Sequence, residues 1–237
     1  MKLSIIIPLY NEERYILSTL KKVEEVIIPK SINDVEIIVI DDCSKDNSWQ
    51  IINEYVKNKE NVKLFRHDVN KGKGAAMRTG IANCTGDLVV FQDADLELSP
   101  EDIPVMIDTM IKLDVDFVNG SRYLSGVPRP LSSFWRYIGN KIFTLLTAMI
   151  INVKISDMAC GYKLVKKDLL DKLNLKENRF GIEAEIMIKA LRFKKERIAE
   201  VPVQYLPRTQ QEGKKIRNSD AFKIFYKILK YGLFKAS

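Results

Sequence analysis

Short apolar runs alternate with longer amphipathic segments along the first half of the chain. Successive apolar residues predict strands buried on both faces, whereas apolar residues spaced three to four apart predict helices. The predicted strands are "LSIIIP", "VEIIVID", "VKLFR" and "GDLVVFQ", with helices between them over about 13–26, 48–55 and 75–82. This alternation indicates an α/β fold, with a mostly parallel, Rossmann-like sheet flanked by helices.

The second half of the chain has a different pattern. It contains an apolar stretch over 131–153, one further predicted strand at "EVPVQYL" and a basic amphipathic segment near the C-terminal end. We expect C-terminal amphipathic helices here. A chain of 237 residues is long enough for one large α/β domain, and we expect a single domain over 1–237.

Three of the predicted strands run directly into polar clusters. The clusters are "PLYNEE" after the first strand, "DDCSKDNS" after the second and "QDADLE" after the fourth. Ligands of open α/β sheets bind outside the carboxyl ends of the strands. We therefore expect the three clusters to converge on one site.

The acidic cluster after the fourth strand has two interpretations. On an extended segment the side chains of Asp93 and Asp95 share a face, so their oxygens can hold one hard divalent cation, Mg²⁺ or Mn²⁺. Alternatively, the acids simply precede a helix that begins near Pro100, with Ser99 as its N-cap. The tripeptide alone does not decide between them.

Composition adds a basic surplus and few cysteines. The net charge of +7 fits either an anionic partner, such as nucleic acid, a phosphorylated substrate or a membrane surface, or simply a solvated basic face. The basic residues are dispersed and the clearest motifs are acidic, so we expect no nucleic acid partner. The three cysteines lie far apart without C-x-x-C spacing, and the first apolar run is too short for a signal peptide. We expect a cytoplasmic protein.

Several motifs occur together in one order along almost the whole chain. They are "IIIPLYNEE", "VIDDCSKDNS", "NKGKGAAMRTGI", "FQDADLELSPEDIP", "NGSRY", "SDMACGYKL", "FGIEAEI", "EVPVQY" and "RTQQEGKKI". In these motifs the sequence resembles inverting family 2 glycosyltransferases of the GT-A fold, most of all dolichyl- or polyprenyl-phosphate sugar synthases. It departs at Cys43, where the family's turn usually has glycine. We therefore expect this turn not to require a positive φ.

The resemblance implies a nucleotide-sugar site in residues 1–122 and an acceptor- and membrane-facing half in 123–237. It assigns the base and ribose pocket to Pro8, Tyr10, Glu12 and Asp41, whose carboxylates accept hydrogen bonds. It assigns the metal and the diphosphate to Asp93 and Asp95, with Glu97 as a third ligand. Lys73, in a glycine-bracketed loop, either contacts the nucleotide or is simply solvated.

Basic residues in two further motifs are expected to face phosphate oxygens. These are Arg122, Arg208, Lys214 and Lys215, the last three in or beside a polar loop that either orders over the diphosphate or is an ordinary charged surface loop. The resemblance gives Asp95, Arg122 and Arg208 as the catalytic residues. It implies metal-dependent, inverting transfer of a hexose from GDP-mannose or UDP-glucose to dolichyl or polyprenyl phosphate.

A phosphate acceptor is already ionised near neutral pH, so it makes a dedicated base dispensable. If a base exists, the candidates are Asp157, Glu183 and Glu185. Helix residues two positions apart do not share a face, so Glu183 and Glu185 are not expected to act as a pair. Helix capping is an adequate explanation for Asp157.

Two segments are candidates for peripheral contact with the cytosolic face of a membrane. The run 143–151 is too short to span a bilayer, and with Trp135 and Tyr137 nearby it fits either an interfacial helix or a core helix. The C-terminal helix places an apolar stripe beside lysines, which fits either anionic lipid or docking on its own domain. The stripe comprises Phe222, Phe225, Tyr226, Leu229 and Leu233.

Two other enzyme classes remain as alternatives. The first keeps the donor but transfers the sugar to a glycan or protein hydroxyl. The second is a nucleotidyltransferase, which would normally show a glycine- and basic-rich signature after the first strand; "PLYNEE" has none.

Overall fold

The computed structural model describes residues 1–128, 130, 133–194, 197–208 and 218–233. Within these ranges one sheet contains seven strands in the order β3-β2-β1-β4-β6-β5-β7. Neighbouring strands are parallel except β6, which is antiparallel to both β4 and β5. The strands are β1 Lys2–Leu9, β2 Asp34–Asp41, β3 Val62–Arg66, β4 Leu88–Phe91, β5 Phe117–Ser121, β6 Lys163–Lys166 and β7 Ile198–Pro202.

Helices cover both faces of this sheet. They are α1 Ile16–Glu25, α2 Ser48–Val56, α3 Lys73–Asn83, α4 Ile103–Lys112, α5 Phe134–Ile151, α6 Lys167–Lys172, α7 Ile182–Lys194 and α8 Asn218–Leu233, with a short 3₁₀ turn at Pro100–Asp102 before α4. In the described part of the chain, no helix combines the length and the apolar content that crossing a bilayer requires.

The sequence of β1 is continuously apolar because both faces of this strand are buried. Its alternate residues Leu3, Ile5 and Ile7 join a core cluster with residues of α1 and α4, whereas Ile6 joins a second cluster with residues of α3 and α7. Both clusters are fully shielded from water at this strand. Each such side chain contributes about 1.5–3 kcal/mol on burial, so the central strands anchor the whole sheet.

The sequence pattern predicted the first four strands and the mostly parallel sheet correctly. The first helix begins at Ile16 because residues after β1 form a turn, in which the Tyr15 and Ile16 N–H groups donate to the Glu12 carbonyl. The last strand ends at Pro202, earlier than "EVPVQYL" predicts. The antiparallel strand β6 was not predicted, since its four residues carry no pattern of their own.

The expectation about Cys43 was wrong. Its φ is +61°, in the left-handed region that a side chain disfavours by roughly 1–2 kcal/mol. The turn after β2 therefore has the conformation that glycine would adopt, and cysteine is tolerated there at a cost in stability. A long contact from Cys43 Sγ to the Asp68 carbonyl, 3.5 Å, offsets part of this cost.

Replacing Cys43 with glycine should therefore stabilise the protein by about 0.5–1 kcal/mol. Urea denaturation followed by circular dichroism measures the change. Cys43→Ala is the matched control: it removes the same sulfur but keeps a β-carbon at positive φ, and it should give no gain. Equal stabilisation by alanine and glycine would show that backbone strain is not the cause.

Candidate functional site

The loops that follow β1 and β2 are joined by hydrogen bonds at the carboxyl edge of the sheet. The Asn11 N–H donates to Ser44 Oγ at 2.9 Å, and the Lys45 N–H donates to Asn11 Oδ1 at 2.7 Å. The Glu12 N–H donates to Ser48 Oγ, the first residue of α2, at 2.8 Å. These contacts hold Glu12 at the point where the loop after β4 also arrives, so the predicted convergence of the polar clusters is confirmed.

Arg208 gathers the acidic side chains of two loops. Its guanidinium pairs with both carboxylate oxygens of Glu12, at 2.8 and 3.1 Å, and with Asp95 Oδ2 at 2.6 Å. Its backbone N–H donates to Glu97 Oε1 at 3.0 Å. Arg208 thus contacts three carboxylates, which lie in the loops after β1 and β4. We call Glu12, Asp93, Asp95 and Glu97 the acidic cluster.

The segment that carries Arg208 is fastened to the loop after β4. The Gln204 N–H donates to Asp102 Oδ2 at 2.7 Å, and the Leu206 N–H donates to the Glu97 carbonyl at 2.9 Å. The Tyr205 hydroxyl donates to Glu97 Oε2 at 3.1 Å. Residues 204–208 therefore form one wall of the site, with Arg208 pointing inward.

Lys73 neutralises the other side of the acidic cluster. It is the first residue of α3, and its Nζ lies 2.7 Å from Asp93 Oδ1 and 2.8 Å from Glu183 Oε1. The interpretation of Lys73 as a simply solvated side chain is therefore wrong. Its two carboxylate partners raise its pKa against the opposing effect of burial, so it is a permanent positive charge beside Asp93.

Asp93 and Asp95 meet on a turn and not on an extended segment. The strand ends at Phe91, and a turn follows in which Leu96 has a φ of +56°. Burial and the nearby Asp93 carboxylate raise the pKa of Asp95 to about 6. The capping interpretation also describes a real contact, because Ser99 Oγ accepts from the Glu101 N–H at 3.4 Å. It accounts for Ser99 but not for Asp93 and Asp95.

The two aspartates fit a divalent cation by charge and by space. Burial is the main cause of the raised pKa of Asp95, and the Asp93 and Glu97 carboxylates add to it, so a cation between the oxygens of Asp93 and Asp95 would relieve the repulsion between them. A β-carbon at Gly161 would lie 2.7 Å from Asp93 Oδ2, so glycine there leaves that oxygen clear. Across the described ranges, however, no three His, Cys, Asp or Glu side chains are arranged as a preformed metal site. Glu97 as a third ligand stays a prediction.

The side chain of Arg122 pairs with a buried carboxylate and is not exposed on the surface of the site. Its Nε donates to Asp157 Oδ2 at 2.8 Å and its Nη2 donates to Oδ1 at 2.9 Å, while its backbone N–H also donates to Oδ2 at 3.0 Å. Asp157 is fully buried and forms this bidentate pair, so helix capping is not its role. The guanidinium also lies 5.2 Å from the ring centre of Tyr205, which connects it to Glu97.

Two residues without a predicted role form a buried support beneath the site. Tyr162 donates to Gln92 Oε1 and to the Ser99 carbonyl, the latter at 2.7 Å. Lys163 donates to Asn119 Oδ1 at 2.8 Å and to the Cys160 carbonyl at 2.9 Å. Burial lowers the pKa of the Lys163 ammonium. Tyr162 ties the start of β6 to the loop that carries the acidic cluster, and Lys163 ties β6 to β5.

The other residues predicted for the nucleotide pocket lie at the ends of β1 and β2. Pro8 and Asp41 sit at the ends of neighbouring strands, and Tyr10 follows β1 directly. Asp41 is fully buried, with its oxygens near the Ser44 N–H at 3.2 and 3.4 Å and Arg66 Nε at 3.1 Å. Lys214 and Lys215 lie outside the described residues.

Sequence reasoning missed Tyr205 and Gly161. Tyr205 lies in a segment predicted as strand, and its hydroxyl reaches Glu97 only because that segment pairs with the loop after β4. Gly161 stands in the motif "CGYK", where the glycine itself was a usable signal for close approach. Neither partner is near in sequence, so spacing could not have identified the contacts.

A buried carboxyl group beneath this wall should make stability depend on pH. Burial raises the pKa of Asp102 from 3.8 to about 6, so the folded state binds this proton more tightly than the unfolded state does. Stability from this group therefore falls as pH rises from about 4 to about 6. Asp102→Asn removes the titration, and Asn Oδ1 can still accept from the Gln204 N–H.

The expected result is that Asp102→Asn gains on the order of 1–2 kcal/mol relative to wild type between pH 4 and pH 7. Urea unfolding at pH 4, 5, 6 and 7 measures it, and only the change with pH counts. A difference between the two proteins that is constant across these pH values would contradict the assignment.

The sequence is similar to those of named dolichyl-phosphate sugar transferases. The chain is 32% identical over 217 residues to the dolichol-phosphate mannosyltransferase of Pyrococcus furiosus, covering 90% of this chain and 59% of that protein's length. It is 28% identical over 242 residues to the UDP-N-acetylglucosamine–dolichyl-phosphate N-acetylglucosaminyltransferase of Methanococcus voltae, covering 95% and 94%.

Solved structures share the architecture. Glucosyl-3-phosphoglycerate synthase of Mycobacterium tuberculosis, in complex with Mn²⁺, UDP and glucosyl-3-phosphoglycerate, superposes with a TM-score of 0.73 at 18% identity, over 98% of this chain and 80% of that one. At this identity the match shows the fold alone, and it confirms the expected GT-A architecture. Residues 4–173 match the family described as glycosyl transferase family 2, and the chain belongs to that family.

Proposed function

We propose that the protein transfers a hexose from a nucleotide sugar to dolichyl or polyprenyl phosphate, with inversion at the sugar carbon. The observation that carries the proposal is the acidic cluster paired with Lys73 and Arg208 at the carboxyl ends of β1 and β4. A nucleoside diphosphate needs this combination, because its oxygens are anionic while its ribose hydroxyls and base N–H groups donate hydrogen bonds.

In this proposal Asp93 and Asp95 hold a divalent cation together with the donor. When bound, Mg²⁺ or Mn²⁺ supplies positive charge against the diphosphate as it departs. Glu12 and Asp41 accept hydrogen bonds from the nucleoside. Arg208 spans Glu12 and Asp95, so donor binding exchanges these ion pairs, and the guanidinium becomes a bidentate partner for phosphate oxygens.

A phosphate acceptor is favoured over a hydroxyl acceptor because each candidate base is already held by a cation. Asp157 is paired with Arg122, and Glu183 with Lys73. Glu185 is fully buried, pairs with Lys189 at 2.8 Å and accepts from the Lys176 and Glu177 N–H groups. A phosphate monoester brings its own negative charge and needs no base.

The experiment compares acceptors with one donor at a time. Tritiated GDP-mannose and UDP-glucose are each incubated with the protein, Mn²⁺ and dolichyl phosphate in detergent, and label is counted after organic extraction. Dolichol, which carries a hydroxyl in place of the phosphate, is the matched control. We expect label in the lipid phase with dolichyl phosphate only; equal labelling of dolichol would show that the acceptor is wrong.

Peripheral contact with the cytosolic membrane face is part of the proposal, and the exposed surface of α5 supports it. The buried positions of this helix are the polar Thr144 and Thr147, whereas Trp135, Leu145 and Met149 are 79%, 58% and 60% exposed. Phe143 and Leu146 pack against the second core cluster. The helix therefore has one apolar face packed inside the protein and another that is exposed, and the exposed face supports the proposed contact with a membrane.

Exposed aromatic and aliphatic side chains of this kind partition into the headgroup region of a bilayer. Replacing Trp135 and Leu145 with serine should lower binding to anionic vesicles at least tenfold, measured by co-sedimentation. Ile27→Ser is the control, because Ile27 is 89% exposed but lies just after α1. If the control variant lost as much binding as the α5 variant, the proposed contact face would be wrong.

A further inference from the structure

A groove of about 700 Å³ runs between α8 and the segment that leads into α7. Its floor includes Glu177, whose Oε1 accepts from the Tyr231 hydroxyl at 2.6 Å and pairs with Lys227 Nζ at 2.6 Å. These contacts fix α8 against residues 176–181. We call this concavity the α8 groove.

The α8 groove is strongly cationic. Among the residues that the structure describes, its lining contains five basic residues and one acid, Glu177, which pairs with Lys227. The basic residues are Lys176, Arg179, Lys223, Lys227 and Lys230. A surplus of basic residues around one concavity produces a positive potential there, and this potential attracts anions.

The same groove has an apolar rim. Phe222 and Tyr226 of α8 are 81% and 62% exposed and line it together with Phe180. α8 packs against α5, since a β-carbon at Gly232 would lie 2.9 Å from Ile150 Cγ2. The exposed apolar side chains of α8 therefore belong to the same pair of helices as the exposed face of α5.

Cations inside a concavity and aromatic side chains at its rim match an anionic headgroup carried on a hydrocarbon tail. We propose that the α8 groove binds the phosphate of an anionic membrane phospholipid, at a site separate from the acidic cluster. The inference rests on the proposed membrane contact and not on the sugar transfer.

The position of the α8 groove determines how a bound lipid would orient the protein on a membrane. Its wall is the segment on which the N-terminal end of α3 rests, because the Ala75 N–H donates to the Asn178 carbonyl at 3.0 Å. A β-carbon at Gly74 would lie 2.4 Å from the Glu177 carbonyl. A lipid held in the groove therefore places the Lys73 side of the acidic cluster next to the bilayer.

The test neutralises the groove without disturbing the Glu177 pair. The variant Arg179→Gln/Lys223→Gln/Lys230→Gln is compared with Lys21→Gln/Lys22→Gln/Lys112→Gln, which removes the same charge from α1 and α4 on the opposite face of the sheet. Co-sedimentation is measured with phosphatidylcholine vesicles containing one fifth phosphatidylglycerol, and with phosphatidylcholine alone.

We expect wild type to prefer the anionic vesicles, and the groove variant to lose about fivefold in affinity for each cation removed, while the control variant stays within twofold of wild type. Equal losses of vesicle affinity in the two variants would show that net charge alone causes the effect. An unchanged affinity in the groove variant would show that the α8 groove is not the binding site. Either result overturns the proposal.

Two further measurements separate the sources of phosphate and the two proposals. If inorganic phosphate at 10 mM abolished the vesicle preference, the groove would be a site for free phosphate, and the lipid assignment would fail. Transfer to dolichyl phosphate in detergent should be unchanged in the groove variant, because an acceptor supplied in detergent does not require the protein to bind a membrane. If the wild-type protein showed no sugar transfer, the proposed function would be wrong, but the proposed lipid site in the α8 groove would be unaffected.

Discussion

Replacing Asp95 with asparagine should lower the turnover of sugar transfer about a thousandfold while the protein stays folded. The substitution removes the negative charge that holds the proposed cation, and losing one preorganised electrostatic contact of this kind reduces turnover by about 10²–10³-fold. Folding should not suffer, because burial and repulsion by Asp93 already raise the pKa of this carboxyl to about 6. The neutral amide avoids both penalties.

The measurements are initial rates at saturating Mn²⁺ and donor, together with the melting temperature in the absence of both ligands. Asp108→Asn is the control, because Asp108 is an exposed carboxylate on α4; its rate should match wild type. We expect Asp95→Asn to melt at or above the wild-type temperature. Retention of metal-dependent donor binding and turnover by Asp95→Asn would mean that the reaction centre lies elsewhere.

Asp157→Asn should destabilise the protein by about 3–5 kcal/mol, the largest expected effect on folding. Asp157 is fully buried and neutralises Arg122 through two side-chain hydrogen bonds. Removing one partner of a buried ion pair leaves the other charge without compensation in a medium of low polarity. Asparagine keeps an oxygen for the Arg122 N–H, so the expected loss reports on the charge. Urea denaturation measures it.

A double variant separates the structural role of this pair from a catalytic one. Arg122→Met/Asp157→Asn removes both charges and should regain most of the stability lost in Asp157→Asn. If Arg122 contacts phosphate in the reaction, transfer should stay at least a hundredfold below wild type even though stability is regained. Recovery of transfer along with stability would restrict Arg122 to a structural role.

The acidic cluster shows how far a site can be predicted from local sequence. Glu12, Asp93 and Asp95 each follow a strand of a predicted parallel sheet, and this placement alone indicated that they converge. The resemblance predicted only that Arg208 faces phosphate oxygens; its pairing with Glu12 and Asp95 was not predicted, because Arg208 lies 113 residues from Asp95. Lys73 was ambiguous for a similar reason: Asp93 and Glu183, the partners that keep it from being solvated, come from different parts of the chain.

Arg122 and Asp157 mark the limit of such prediction. Each residue had a plausible local role, as a phosphate ligand and as a helix cap, and the structure pairs them across 35 residues. A bidentate pair forms only when two backbone segments arrive at the right separation and orientation, and no periodicity in the sequence encodes that arrangement. Cys43 shows that the same limit of prediction applies to the backbone. Its positive φ belongs to the turn after β2, and the residue type did not indicate it.

By itself the sequence determined the class of fold, the four strands of the first half and the edge of the sheet where chemistry is placed. It could do so because burial of apolar side chains follows a short period along the chain. The tertiary structure alone decided which charges neutralise each other, where β6 inserts and which apolar residues of α5 and α8 face outward. Those features depend on distances between segments remote in sequence, and such distances are set only when the whole core packs.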